Sequence, residues 1–194
     1  KINYMLGNND EIDHNKKKIK KIVQLVNQFI GSLLSFSRFE EIHMEEISLD
    51  EFVNKSLKDI PGKRIPENLK IDTQLESKQI VTFDRNRLRQ VFLNIIFNAF
   101  DAAGTGGQLT IKTYSEHKET VKDTRHYIAI RDNGPGIPDD IKEKILEPFF
   151  TTKKDGIGLG LYISYGIMQT LKGDLEIESN STNGTTVYIV LPGD

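Results

Sequence analysis

Residues 131–161, RDNGPGIPDDIKEKILEPFFTTKKDGIGLGL, constrain this chain more than any other stretch. They hold two glycine clusters, Asp-Asn-Gly-Pro-Gly-Ile from Asp132 and Gly-Ile-Gly-Leu-Gly-Leu from Gly156. Glycine has no Cβ, so the backbone at such clusters can close on a ligand and take positive φ. Gly156, Gly158 and Gly160 stand just before an apolar run, 161–171, that reads as a helix. A glycine-rich turn feeding a helix start aims free N–H groups at an anion, and phosphate is the natural occupant. The stretch therefore predicts a nucleotide site.

A second signal lies upstream. Asp84 is placed to cap a helix over 85–103, on which Arg87, Gln90, Asn94, Asn98 and Asp101 recur at helical spacing. The other faces carry Leu88, Val91, Phe92, Ile95, Ile96, Ala99 and Phe100, so most of this helix is expected to be buried and the polar stripe must line something wet. Asn94 and Asn98, four apart, put two amide oxygens on one face. An amide oxygen is a neutral hard ligand suited to Mg²⁺. The alternative is that both asparagines bond neighbouring backbone in the core.

Asp132 ends an alternating run, 126–131, and precedes a Gly-Pro-Gly turn. An ionised carboxylate only accepts hydrogen bonds, so at a pocket floor it suits the exocyclic amine of adenine; the plainer reading is an Asx-turn. Residues 147–155 hold aromatics, hydroxyls and two lysines without regular period, which reads as a mobile lid. Lys153 and Lys154 would screen phosphate charge there, or simply be solvated. Ile137, Phe150, Thr151, Thr152, Leu159 and Leu161 complete the expected nucleotide lining.

The rest of the chain supplies the frame. Alternation predicts strands over 69–75 and 79–83, taken as a hairpin, then 108–114, 174–180 and 185–191. Residues 115–125 read as a polar loop. A short helix is expected over 141–146, after Pro138-Asp-Asp. Ser48-Leu-Asp-Glu is a capping box for a helix over 49–59. Before it, Ile19, Ile22, Val26, Phe29, Leu33 and Phe36 follow a heptad seam on a helix over 12–40, roughly 40 Å long. Such a seam needs a partner, so a homodimer through this helix is expected, against packing on its own domain. The chain divides into a long-helix part, 1–46, and a globular part, 47–194. A net charge of −2 gives no reason to expect nucleic acid, and the absence of cysteine excludes disulfides and thiolate metal sites. No run approaches membrane-spanning length, so the expectation is a cytoplasmic chain, with any membrane anchor in segments outside it.

Five motifs carry a family resemblance. Asn94-x-x-x-Asn98-Ala, Asp132-Asn-Gly-Pro-Gly, Pro148-Phe-Phe-Thr-Thr-Lys, Gly156-x-Gly-Leu-Gly-Leu and Gly184-Thr-Thr-Val resemble, in order, the N, G1, F, G2 and G3 boxes of bacterial sensor histidine kinases. These share the ATP-binding fold of the gyrase, Hsp90, MutL and histidine kinase superfamily. The resemblance implies an α/β sandwich: a mixed sheet of about five strands with three helices on one face. It implies ATP and Mg²⁺ as ligands, with Asn98 on the metal and Asp132 on the adenine amine near Thr185. It implies that Gly134, Gly136, Gly158 and Gly160 let backbone close on the nucleotide. It also implies a response-regulator receiver domain as partner. Asn-Ala-Phe-Asp-Ala, from Asn98, looks like the nitrogen-regulation and sporulation kinases, and the long helix looks like part of their dimerisation hairpin.

One departure stands out. The family's phosphoacceptor motif, His-Glu/Asp followed by Asn or Thr and Pro, is absent. His14 and His43 do not match it, and His117 and His126 read as surface residues. The chain thus reads as the donor half of a kinase, holding ATP for a histidine elsewhere. Superfamily ATPases resembling gyrase keep a carboxylate where Asn94 stands. An amide cannot take a proton at neutral pH, and an attacking imidazole already has its lone pair. Asn94 therefore favours transfer to histidine over attack by water, with Mg²⁺ and the lid lysines, Lys153 among them, neutralising charge. The alternatives are an ATPase of the same superfamily and a catalytically silent binding module.

Overall fold

The computed structural model describes residues 41–116, 124–153, 156–179 and 183–193, together with positions 12, 15, 16, 19 and 23. The heptad seam otherwise lies outside the described residues. The five isolated positions are helical, and Ile19 and Val23 among them are exposed.

From residue 41 onward the described chain forms seven strands and three α-helices. In order these are β1 (Met44–Ser48), α1 (Leu49–Lys58), β2 (Lys70–Leu75), β3 (Ile80–Asp84), α2 (Arg85–Ala103), β4 (Gln108–Glu116), β5 (Arg125–Asp132), α3 (Gly160–Thr170), β6 (Asp174–Ser179) and β7 (Thr185–Pro192). Five strands make one mixed sheet in the order β2-β4-β5-β7-β6. β2 runs parallel to β4, and every other pairing in this sheet is antiparallel. The parallel pair needs a crossover, which β3 and α2 supply. This is the expected α/β sandwich.

Local sequence explains the boundaries. Ser48 caps α1, its hydroxyl accepting from Glu51 N at 3.4 Å. Asp84 caps α2 through Oδ1, which accepts from Arg87 N at 3.0 Å, while Oδ2 accepts from His43 N at 3.1 Å. One carboxylate thus starts the helix and pins the incoming chain. The inner face of the sheet, with Leu109, Ile111, Ile128, Ile130, Ile189 and Leu191, packs on Leu88, Val91, Phe92, Ile95 and Ile96 of α2. Each such side chain contributes roughly 1.5–3 kcal/mol on leaving water, which fixes α2 across the sheet centre. Phe52 of α1 meets Phe92 edge-on, with centroids 5.8 Å apart. On the outer face Tyr114 and Tyr127 stack at 4.8 Å, and Tyr127 meets Tyr188 edge-on at 6.4 Å.

Four expectations need correction. The strands read at 69–75 and 79–83 exist but do not form a hairpin: β2 pairs with β4, and β3 pairs with β1 in a separate two-stranded ladder. Alternation reveals a strand but not its partner. The residues between them, 76–79, make no hairpin turn; Glu76 N continues along β4, donating to Thr113 O at 3.1 Å. The helix expected over 141–146 is a 3₁₀ turn, Asp139–Ile141, followed by turns. The nine residues between Pro138 and Pro148 are too few to offset the cost of helix nucleation. The loop expected over 115–125 is shorter, because β4 runs to Glu116 and β5 starts at Arg125. His126 is buried, not at the surface; its Nδ1 lies 2.8 Å from Ser115 Oγ. His14 and His117 lie outside the described residues. Strand β1 was not foreseen, and the expected start of the globular part, residue 47, falls within it.

Candidate functional site

The carboxylate of Asp132 lies at the end of β5, beside the start of β7, where Arg131 pairs with Thr186. It is buried, with 4% of its surface exposed. Oδ1 accepts from Gly134 N at 2.8 Å and from Thr185 N at 3.4 Å, and neither donor goes to Oδ2. Burial pushes the Asp132 carboxyl above its ordinary range, while the Gly134 and Thr185 N–H groups pull the other way. The Asx-turn is therefore real, yet it occupies only one oxygen.

A residue that sequence reasoning missed organises this cluster. Ser179, the last residue of β6, donates from Oγ to Gly184 O at 3.0 Å, accepts from Ile137 N at 2.8 Å and meets Thr185 Oγ1 at 2.9 Å. It joins the loop after Asp132 to the start of β7. Only its place at a strand end opposite Thr185 could have signalled it, and that pairing is invisible without the register. Ser179 also lines a cavity of about 200 Å³ with Lys142, Ile145, Leu146, Leu175 and Ile177.

The second cluster joins α2 to α3. Asn94 Nδ2 donates to Gly160 O at 3.4 Å and to Ser164 Oγ at 3.2 Å. Ser164 is fully buried and was also missed. Helix α3 begins at Gly160 after Leu159, which gives it no side-chain cap. Its first N–H groups are thus left for another acceptor. Gly160 and Leu161 form the first turn. Gly158, with φ +73, passes so close to the backbone of Phe149 and Phe150 that a Cβ would overlap both. Gly156 N donates to Lys153 O at 3.2 Å.

The third cluster lies at the far end of the polar stripe. Lys153 Nζ is 2.7 Å from Asn98 Oδ1 and 2.6 Å from Asp101 Oδ2. Phe150, Thr151, Thr152 and Lys153 lie in a segment without helix or strand, as the lack of period predicts. Thr151 Oγ1 accepts from Lys153 N at 3.1 Å, a bond within that segment. Phe149 takes φ +67 and is 61% exposed. Lys154 lies outside the described residues. Gly136, between Gly134 and Ile137, has φ +77.

Helix α2 therefore touches the second glycine turn through Asn94 and Gly160, the segment of Lys153 through Asn98 and Asp101, and the turn after the buried carboxylate where Gly134 passes Ala102. Residues 83–194 match the family model described as histidine kinase-, DNA gyrase B-, and HSP90-like ATPase. The chain belongs to that family. Among histidine kinase-, DNA gyrase B- and HSP90-like ATPases, the relatives named here are of the first kind. It is 33% identical to the signal transduction histidine-protein kinase AtoS of Escherichia coli (strain K12) over 90% of its own length and 28% of that protein. It is 30% identical to sporulation kinase C of Bacillus subtilis (strain 168), over 88% of its length and 39% of the other. The histidine kinase ThkA, solved in complex with the response regulator protein TrrA, is similar in structure with a TM-score of 0.70 at 26% identity, over 91% of this chain and 49% of that one. The chain thus spans less than two fifths of the curated relatives named here and carries an ATP-binding catalytic domain of the sensor histidine kinase type. Among the described residues no helix is long and apolar enough to cross a membrane.

Proposed function

We propose that this chain is the nucleotide-binding half of a sensor histidine kinase, passing the γ-phosphoryl group of Mg²⁺-ATP to a histidine for relay to a receiver-domain aspartate. The observation that carries the nucleotide reading is the Asp132 clamp. Two backbone donors hold Oδ1 in place, so the carboxylate cannot swing, and its second oxygen suits the adenine amine. Thr185 and Ile137 are tied to the same point through Ser179. The uncapped start of α3, reached through Gly156 and Gly158, suits the phosphates. Gly134, Gly136 and Leu161 border these two regions, and Phe150, Thr151, Thr152 and Lys154 belong to the segment that would cover them.

The residues fit a magnesium ion. An ammonium already sits on the Asn98 oxygen, which marks that oxygen as a cation acceptor. Among the described residues no three His, Asp or Glu side chains form a metal cage. One protein oxygen plus phosphates and waters is the usual magnesium arrangement, and the ion would neutralise phosphate charge. Asn94 serves differently: its amide holds α3 to α2 and offers no base to a water molecule. That supports transfer to an imidazole rather than hydrolysis. The acceptor histidine, dimerisation through residues 12–40 and docking of a receiver domain are part of the same reading; the ThkA complex with TrrA supports the last by kinship.

The test is a calorimetric titration with a non-hydrolysable ATP analogue, with and without Mg²⁺, followed by ATP and a histidine-bearing dimerisation hairpin supplied in trans. Micromolar, Mg²⁺-assisted binding and acid-labile phosphate on the hairpin are expected. Steady hydrolysis without any acceptor would overturn the reading of Asn94. No binding at millimolar analogue would leave a silent module.

A further inference from the structure

Asp101 closes the polar stripe of α2, and the nucleotide reading gives it no task. Its Oδ2 accepts from Lys153 Nζ at 2.6 Å, and the same ammonium donates to Asn98 Oδ1 at 2.7 Å. Asn98 and Asp101 are three residues apart on one helix, so their side chains are neighbours on one face. Lys153 arrives from the irregular segment more than fifty residues later. An ammonium carries three donors and no acceptor, so it satisfies both oxygens at once. A neutral amide oxygen alone competes poorly with water for a strongly hydrated ammonium. The charge that keeps Lys153 on Asn98 is therefore that of Asp101. Both side chains are well exposed, 44% for Lys153 and 61% for Asp101, so the hold is only that of a surface ion pair. A weak hold is one that a divalent ion can displace.

We propose that Asp101 is a positioning residue that parks the Lys153 ammonium on the Asn98 side-chain oxygen while nucleotide is absent, so that metal arriving with nucleotide takes this oxygen and releases Lys153. This rests on the reading of Asn98 as the metal ligand. The ammonium and the metal need the same oxygen, so each weakens the other by the same factor. Metal entry then has a second effect besides neutralising phosphate. It detaches Lys153 from α2 and frees a positive charge at the moment a triphosphate is present to receive it.

The experiment compares the affinity of the full chain for a non-hydrolysable ATP analogue in Mg²⁺ and in EDTA, for wild type, Lys153→Met, Asp101→Asn, the double variant and Asn98→Ala. The double variant removes one charge of each sign, so the local net charge is unchanged while Asn98 is vacated. Its Mg²⁺ enhancement is expected to exceed wild type by roughly threefold to fivefold, the scale of an exposed ion pair. A double variant with the wild-type ratio overturns the proposal, even if Lys153→Met alone raises it, because net charge would then explain everything. Asn98→Ala separates the two readings. Loss of Mg²⁺ enhancement there upholds the metal site whatever the double variant does, and retention overturns both. A second readout needs no nucleotide. The Asn98 side-chain amide resonances are expected to shift in Asp101→Asn and in Lys153→Met, and unchanged resonances in both overturn the parked ammonium.

Discussion

A Cβ on Gly184 would overlap the carbonyl oxygen of Asp132, so the turn into β7 passes Asp132 with no room for any side chain. That passage brings Thr185 N to Asp132 Oδ1 at 3.4 Å and Gly184 O to Ser179 Oγ at 3.0 Å. Gly184 also sits at φ +77, which L-residues rarely adopt. Gly184→Ala should therefore cost about 1–3 kcal/mol from backbone strain alone, with the overlap added. A lower denaturation midpoint together with weakened nucleotide binding is the expected result. Normal binding would show that the site does not depend on this turn.

Asp132 sets function against stability. Its folded carboxyl is raised by burial, so the folded chain binds this proton more tightly than the unfolded chain. Stability then falls as pH rises from the ordinary carboxylate pKa through the raised one, and above it the buried charge is a standing cost. Asp132→Asn keeps an acceptor for Gly134 and Thr185 but drops the charge. The nucleotide-free variant should melt above wild type at neutral pH, with the gap closing as pH falls through the carboxylate range. Its nucleotide affinity should fall roughly tenfold to a hundredfold, the value of a hydrogen bond to a charged group. Thermal melts at several pH values and calorimetry check the two halves separately.

Asn98 is half-buried, and its side chain bonds the Lys153 ammonium. Asn98→Ala should leave the melting transition within about 0.5 kcal/mol of wild type, as for ordinary surface changes. The difference between nucleotide affinities in Mg²⁺ and in EDTA should vanish. A variant binding Mg²⁺-nucleotide normally would place the metal elsewhere.

Asp50 ties α1 to the sheet. Its Oδ1 accepts from the hydroxyl of Thr113, which is 1% exposed, and its Oδ2 accepts from Lys78 N at 3.5 Å. Asp50→Ala strands the Thr113 hydroxyl and should cost about 1–3 kcal/mol. Adding Thr113→Val should recover part of that loss, because no orphaned hydroxyl remains. Urea unfolding of the single and double variants would show it, and strict additivity would contradict it.

Tyr188 donates from its hydroxyl to Glu178 Oε2 at 2.8 Å, and its pKa is pushed up to about 12, first by burial and then by that bond. The folded chain keeps the proton longer than the unfolded chain. Stability from this group is thus whole below the ordinary tyrosine pKa of about 10 and is lost as pH rises toward 12. Tyr188→Phe should remove a late step of the alkaline phenolate titration and cost about 1 kcal/mol at neutral pH.

The site was legible where chemistry is local. Asp132, Asn98 and the glycines before α3 are each marked by residue type and by spacing along one short segment. Asp84 and Gly104 bound α2 where caps belong, because a cap is a property of a few adjacent residues. Ser179 and Ser164 were not legible, since each matters through a partner far along the chain, Ile137 and Asn94; Asp101 was read as part of the polar stripe, but its partner Lys153 was not. The false hairpin has the same origin. Strand β2 spends its edge on β4, across the whole of α2, and no pattern within 69–83 reveals that. Strand β1 hid behind Glu45 and Glu46, whose charges mask a short strand with only Ile47 fully buried.

The sheet order also bears on birth of the protein at the ribosome. β7, last of the described strands in sequence, lies inside the sheet between β5 and β6, and β6 pairs with nothing else there. A nascent chain lacking residues 185–192 has β5 with an open edge and β6 without a partner. It also lacks Thr185, so the Asp132 clamp is unmade. Synthesis runs from the N-terminus, so the Asp132 clamp forms when β7 emerges rather than by degrees. Until then the β5 and β6 edges have unpaired backbone groups, a template for pairing with another chain.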